Sequence, residues 1–165
     1  MEQRPARAVV IGYPHTSNWD FPLALIALAA LDLDIRWAGK DSLFVGWRGP
    51  IMRWLGGVPV NRRERTGFVE RISAEFARYE RFHLVIAPEG TRSLTEGWKS
   101  GFYHIARAAP TPVVLATIDY ARRELGLLDA VELTGDADAD MARIADCYAG
   151  RRGKRPTLES PVRLR

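Results

Sequence analysis

The sequence predicts a single α/β domain with a mainly parallel central sheet flanked by helices. Its 165 residues suffice for one hydrophobic core, and 47% of them are hydrophobic while 27% are charged, as in ordinary globular domains. Short apolar, β-branched runs alternate with longer helical patterns, which is typical of strands joined by crossover helices. In such a sheet, ligands gather outside the carboxyl ends of the strands.

The strands come from short apolar runs rich in β-branched residues. The strong runs occupy residues 6–13, 34–39, 82–88 and 111–120, and weaker ones occupy 58–62 and 130–135. Helices are predicted over residues 20–31, 66–79, 100–109 and 138–148. The segment 41–57 is predicted to be partly helical, broken at Gly49-Pro50 and stopped at Gly56-Gly57.

Composition excludes several classes of protein. The net charge of +4 favours anionic partners in general, but no nucleic-acid reader motif accompanies it. Cys147 is the single cysteine, so the chain forms no internal disulfide and fits a reducing cytoplasm. The first apolar run is too short for a signal peptide. The apolar segment 21–31 is about half the roughly 20 residues that cross a bilayer, so we expect at most peripheral contact with the inner face of a membrane.

The stretch "GYPHTSNWDFP", residues 12–22, places His15 and Asp20 five positions apart directly after the first strand. Histidine moves protons near neutral pH, and a carboxylate that holds one ring nitrogen fixes the tautomer and stabilises the imidazolium. If the loop folds back onto the first helical turn, the two side chains meet and can act as a catalytic pair. The alternative is that Asp20 only caps the helix.

A second polar loop, "PEGTRS", follows the strand at residues 82–88. Gly90 allows close backbone approach, while Thr91, Arg92 and Ser93 can bind phosphate oxygens. Glu89 fits such a site if it binds a hydroxyl or orients the arginine, and the alternative is an ordinary surface turn with a Glu–Arg pair. Because both loops follow strands, they are predicted to share one edge of the sheet.

The segment between these loops adds a basic and an aromatic feature. Arg62 leaves the end of the strand at residues 58–62, where an anion site can form. Four large apolar residues precede it and are predicted mainly for the core: Trp47, Met52, Trp54 and Leu55. With Arg48 and Arg53 beside them, the alternative is an aromatic, basic surface for lipid headgroups. His83 and His104 are predicted to be structural.

Together these motifs resemble the glycerolipid acyltransferase family, which includes the lysophosphatidic acid acyltransferases. The family's first motif, a histidine followed by four residues and an aspartate, is matched by His15 and Asp20. Its second is matched by "GGVPVNR" with Arg62, its third by Glu89 to Arg92, and its fourth by the strand after Pro112. Lys99 and Gly101 also stand where the family has them. The four motifs occur in order across residues 12–120.

The resemblance implies transfer of an acyl group from coenzyme A or acyl carrier protein to a hydroxyl of a lysophospholipid or a glycerol-phosphate-like acceptor, without a cofactor or a metal. It implies His15 as general base with Asp20 as partner, and backbone amides after His15 as donors to the oxyanion. The acceptor and its phosphate would be held by Arg62, Glu89, Gly90, Thr91 and Arg92. Supporting roles fall to Ser17, Asn18, Ser93 and Lys99.

Two other classes remain open at this stage. An acyl thioesterase would use the same pair with water as acceptor, and a lipid- or phosphate-binding protein would show no turnover. The motifs leave residues 150–165 without a role, and we expect this end of the single domain, residues 1–165, to be a flexible or membrane-surface tail.

Overall fold

The computed structural model describes residues 5–30, 35–60 and 67–165. Within these ranges six strands form one sheet, with helices on its faces. The strands are β1 (Arg7–Gly12), β2 (Ile35–Lys40), β3 (Gly57–Val60), β4 (Phe82–Ile86), β5 (Val113–Asp119) and β6 (Glu124–Val131). The helices are α1 (Asp20–Ala30), α2 (Arg48–Trp54), α3 (Phe68–Arg78), α4 (Gly101–Ala108) and α5 (Ala137–Cys147), with 3₁₀ turns at Asp41–Phe44 and Pro156–Leu158.

The sheet has the strand order β3-β2-β4-β1-β5-β6. Strands β1 to β5 run parallel to one another, and β6 runs antiparallel to its neighbour β5. This arrangement confirms the predicted α/β class. It also places the loops after β1 and β4 side by side, because these two strands are paired and their carboxyl ends lie at the same edge.

The two faces of the sheet are filled differently, and this difference creates the site. On one face α3, α4 and α5 bury large side chains against the strands, among them Phe76, Phe102 and Ile144. On the other face the buried cluster is small and centres on Val10 and Val114. Helix α1 leaves part of this second face uncovered, so an apolar cleft remains between the helix and the sheet.

Two predicted elements were placed wrongly. The last strand is β6 (Glu124–Val131) and not residues 130–135, because an antiparallel edge strand with charged ends carries little apolar periodicity. Gly49-Pro50 does not break a helix: both residues lie in the first turn of α2, where proline is tolerated.

Trp47 and Trp54 are not core residues. They are 75% and 84% exposed, and Val45 and Ile51 beside them are also exposed. We call these four side chains the aromatic edge. Arg48 lies over the ring of Trp47 at 5.5 Å from its centroid, so the edge is aromatic and basic together.

Residues 150–165 were expected to be a flexible or membrane-surface tail, but the structure packs the C-terminal segment, residues 151–165, against the rest of the domain. It packs back onto the loop after β1, where the Arg155 amide donates to Thr16 Oγ1 at 3.1 Å. Ser160 is fully buried, and Leu164 pairs with Trp98 in a β-bridge. The segment has little regular structure because its hydrogen bonds go to loops instead of to a helix or sheet.

In the part of the chain that the structure describes, every helix is too short or too polar to span a bilayer.

Candidate active site

The loop between β1 and α1, residues 13–19, carries His15 and is called the His15 loop here. Strand β1 ends at Gly12 and α1 begins at Asp20, so the polar residues between them must find their own hydrogen bonds. Thr16 and Ser17 in the loop and Asp20 at the start of α1 are buried, each at most 6% exposed. The carboxylate of Asp20 accepts hydrogen bonds from several donors of this loop.

Asp20 binds four donors. Its Oδ2 accepts the backbone amides of Thr16 and Ser17, both at 2.9 Å, and lies 3.1 Å from Nδ1 of His15. Its Oδ1 accepts the hydroxyl of Tyr120 at 2.7 Å. The alternative that Asp20 is only a helix cap is therefore insufficient, because the carboxylate also contacts the imidazole.

These contacts decide the protonation of Asp20. Burial alone would raise the pKa of Asp20, but the hydrogen bonds from His15, Tyr120 and Ser17 outweigh it and lower the pKa. Asp20 is therefore a carboxylate at neutral pH, and its Oδ2 accepts a hydrogen bond from Nδ1–H of His15. The other ring nitrogen, Nε2, then carries the free lone pair. His15 lines the cleft, so its imidazole borders the cavity.

Glu89 lies behind the His15 loop and is fully buried. Its Oε2 accepts the His15 amide at 2.7 Å, and its Oε1 accepts the Ser160 amide at 3.0 Å. Burial raises its pKa, although the amides of Ser160 and His15 oppose the rise. A carboxylate enclosed in this way cannot contact an acceptor, so the predicted binding role is wrong in this structure. Glu89 instead ties the His15 loop to the C-terminal segment.

The rest of the turn after β4, residues 88–93, reaches the same cleft as His15. Gly90, Thr91, Arg92 and Ser93 all line it. Gly90 has φ of +68°, a left-handed backbone conformation that favours glycine. The turn brings a guanidinium and a hydroxyl to the mouth of a cavity that also exposes an imidazole.

The cleft has a volume of about 760 Å³, within the usual range for small-molecule sites. Its walls beyond the polar mouth are largely apolar, and they come from α1, the sheet and the segment after β2. Representative lining residues are Phe21, Ala24, Trp37, Met52, Val85 and Leu127. We call it the acyl cleft, because its apolar depth and polar mouth suit a hydrocarbon chain whose head group remains at the opening.

The other predicted site residues lie at different distances from this centre. Asn18 lines the acyl cleft, whereas the hydroxyl of the buried Ser17 accepts the Trp19 amide at 3.2 Å. Lys99 does not line the cleft, and its stem packs on Gly90. Arg62 lies outside the described residues.

The amides that follow His15 were predicted as oxyanion donors. The amides of Thr16 and Ser17 instead donate to Asp20, so they are engaged and point to the carboxylate. This prediction is wrong for those two groups.

Sequence reasoning missed two contributors to the site. Tyr120 lies 100 residues from Asp20 and holds its Oδ1. Ser160 anchors Glu89 through its amide, while its carbonyl accepts the hydroxyl of Tyr13 at 3.0 Å. Neither lies in a recognisable motif. The only signal for Tyr120 is its position just after the carboxyl end of β5, the same edge that carries both loops.

The family model described as Acyltransferase matches residues 1–119, which include the His15 loop and the turn at residues 88–93. The chain belongs to the glycerolipid acyltransferase family. No curated protein and no solved structure matches it. This acyltransferase therefore has its motif loops within the matched span. Tyr120, which holds Asp20, and the C-terminal segment, which holds Glu89, lie beyond it.

Proposed function

We propose that this acyltransferase moves a fatty acyl group from an acyl thioester to a hydroxyl of a phosphate-bearing lysolipid or glycerol-phosphate-like acceptor. The observation that carries the proposal is a single cavity with an apolar interior, an Asp20-braced imidazole and a Gly-Thr-Arg turn at its mouth. For this reaction the site must accommodate a hydrocarbon chain, accept a proton and bind an anion.

The chemistry follows from the tautomer of His15. Nε2 removes the proton of the acceptor hydroxyl as its oxygen attacks the thioester carbonyl, and a C–O bond forms. Asp20 stabilises the imidazolium that results. The tetrahedral intermediate then expels the thiolate, the C–S bond breaks, and the thiolate takes the proton from His15. Since the cleft holds donor and acceptor together, no acyl-enzyme is required.

Arg92 binds the phosphate of the acceptor in this proposal, with Thr91 beside it at the mouth. Guanidinium forms paired hydrogen bonds with phosphate oxygens. Arg62, predicted from sequence for the same role, stays a prediction. An Arg92→Gln variant should mainly raise KM for the acceptor by about 10- to 100-fold, because charge-assisted hydrogen bonds are lost.

Product identification tests the proposal. Purified protein is incubated with labelled acyl-coenzyme A or acyl carrier protein and a panel of lysolipids with and without phosphate, and products are identified by mass. An ester that forms with the wild type and not with His15→Ala supports the proposal. Free fatty acid as the sole product would make the protein a thioesterase, and saturable binding without any product would make it a binding protein.

We further propose that the aromatic edge rests on an anionic lipid surface. Leu43 and Met52 line the acyl cleft and lie in the segment that carries Trp47 and Trp54, so the edge adjoins the cleft through which a chain would enter. Exposed indoles and the exposed Arg48 and Arg53 suit the interface of an anionic bilayer. Co-sedimentation with vesicles containing phosphatidylglycerol, and not with pure phosphatidylcholine, is the expected result. Equal binding to both compositions would contradict the electrostatic part.

A further inference from the structure

A second, smaller depression adjoins the acyl cleft. It has a volume of about 300 Å³ and is called the basic pocket here. Asn18 and Arg92 line both cavities, so the two meet at these side chains. The lining residues are Thr16, Ser17, Asn18, Trp19, Arg92, Lys154 and Arg155.

The described residues that line the basic pocket carry a net positive charge. Arg92, Lys154 and Arg155 are exposed, and within residues 5–30, 35–60 and 67–165 no carboxylate lines the depression. Among the described residues none of these three cations forms an ion pair, whereas nearby Arg151 and Arg152 pair with Glu124 and Glu159. Asp20 lies beneath the loop, but it is 4% exposed and already binds four donors.

The backbone that carries the two tail cations is fixed to the His15 loop. The Arg155 amide donates to Thr16 Oγ1, and the Gly153 amide donates to Glu159 at 2.7 Å. Gly153 packs so closely that a Cβ there would lie 2.7 Å from Thr16 Oγ1. The Lys154 ammonium sits 5.4 Å from the centroid of the Trp19 ring. Lys154 and Arg155 are therefore held next to the candidate catalytic loop.

We propose that the basic pocket binds a phosphate monoester of a substrate whose acyl chain or thioester lies in the adjoining cleft. The inference rests on the proposed function and adds Lys154 and Arg155 as residues that select phosphate-bearing substrates. A guanidinium supplies a planar pair of donors and an ammonium supplies a point charge. The hydroxyls of Thr16 and Ser17 and the side-chain amide of Asn18 line the same depression and complete the donor set. The phosphate belongs either to the acyl donor, as in coenzyme A, or to the head group of the acceptor.

A double variant, Lys154→Gln/Arg155→Gln, tests the proposal against a matched control, Arg36→Gln/Arg143→Gln. The control removes the same charge at two exposed arginines outside both cavities. Kinetics are measured with acyl-coenzyme A and with the phosphate-free acyl-pantetheine, and with acceptors that carry or lack phosphate. The expected result is a rise of about 10-fold in KM for one phosphate-bearing substrate, with kcat unchanged and no effect on its phosphate-free analogue. The substrate that responds identifies the source of the phosphate.

A calorimetric titration separates this inference from the proposed function, since it needs no turnover. Adenosine 3′,5′-bisphosphate and glycerol 3-phosphate are titrated into each protein. Loss of binding in the double variant alone supports the pocket even if the wild type forms no ester. If the double variant has the same KM values and the same binding as the control variant, the proposed role of the basic pocket is overturned. The same holds if both variants lose binding equally. Neither result contradicts the transfer reaction.

Discussion

The His15 loop and the aromatic edge both depart from the rule that apolar side chains are buried and polar side chains are exposed, each in its own way. The loop buries polar groups, with Thr16 and Asp20 at 1% and 4% exposure, whereas the edge leaves Trp47 and Trp54 in solvent. Buried polar groups are unfavourable unless they are hydrogen-bonded, and each buried group of the loop finds its partner within this chain. The exposed indoles find none among the described residues apart from the contact with Arg48. The comparison teaches that the polar groups of the loop are satisfied within this chain, while the apolar side chains of the edge stay exposed among the described residues, which is why we propose a lipid surface for them.

The largest effect is expected from Asp20→Asn, which disrupts the hydrogen bonds that the loop and His15 make to this carboxylate. The amide nitrogen of asparagine cannot accept the donors that now share Oδ2, and it does not stabilise an imidazolium. We expect kcat to fall by about 10²- to 10⁴-fold, as when a base loses its orienting carboxylate. Circular dichroism and acceptor titration show whether the variant remains folded. A folded variant with kcat within threefold of the wild type would remove Asp20 from the mechanism.

The next effect concerns stability and comes from Glu89→Gln. One of the two buried amides, from His15 or Ser160, would then face the side-chain NH₂ group. We expect a loss of about 1–3 kcal/mol in the free energy of unfolding, measured by urea denaturation. Glu132→Gln, at an exposed position, is the matched control and should change little.

The pH dependence of the Glu89 variant has a defined sign. Burial raises the pKa of Glu89 above its ordinary value, so the folded state holds this proton more tightly than the unfolded state. The contribution of Glu89 is therefore fully present below its unfolded pKa and declines as pH rises towards the folded pKa. For Asp20, whose pKa is lowered, the contribution is present above the unfolded pKa and is lost as pH falls. Wild-type minus variant stability should slope in opposite directions for the two carboxylates, and equal slopes would contradict this account.

A smaller effect is expected from Tyr120→Phe. The variant keeps the ring but removes the hydroxyl that donates to Asp20 Oδ1 at 2.7 Å. This hydroxyl lowers the pKa of Asp20, so we expect that pKa to rise and kcat to fall by about 5- to 10-fold. A change in the acid limb of the pH–rate profile separates this positioning role from a purely structural one. Tyr79→Phe, on the surface, serves as the control.

The sequence predicted the parts of this architecture that depend on local pattern. The apolar, β-branched run of β1 predicts a central strand, and the parallel class predicts that the loops after β1 and β4 share an edge, as the structure confirms. The contact between His15 and Asp20 also follows from local sequence, because the two residues lie in one loop and the helical turn that follows it.

The remaining features depend on contacts between distant segments. Glu89 was assigned to ligand binding because its partner, the Ser160 amide, lies 71 residues away in a segment without periodicity. Tyr120 was overlooked since a tyrosine after a strand has no local signature. The exposure of Trp54 was also invisible, because an apolar residue in a short helix has the same pattern whether it packs inward or faces a partner.

The smallest effect on the folded protein, and the sharpest test of the comparison, is expected from Trp47→Ser/Trp54→Ser. Because both indoles are largely exposed, their loss should change the free energy of unfolding by no more than about 0.5 kcal/mol. Transfer to a short-chain acceptor in solution should be unchanged, since neither residue lines the acyl cleft. Transfer to an acceptor embedded in phosphatidylglycerol vesicles should fall several-fold. Leu94→Ser, at an apolar side chain that is 58% exposed and lies outside the aromatic edge, is the control. If the tryptophan variant loses stability, or loses both activities equally, the edge packs within the protein and the contrast with the His15 loop is lost.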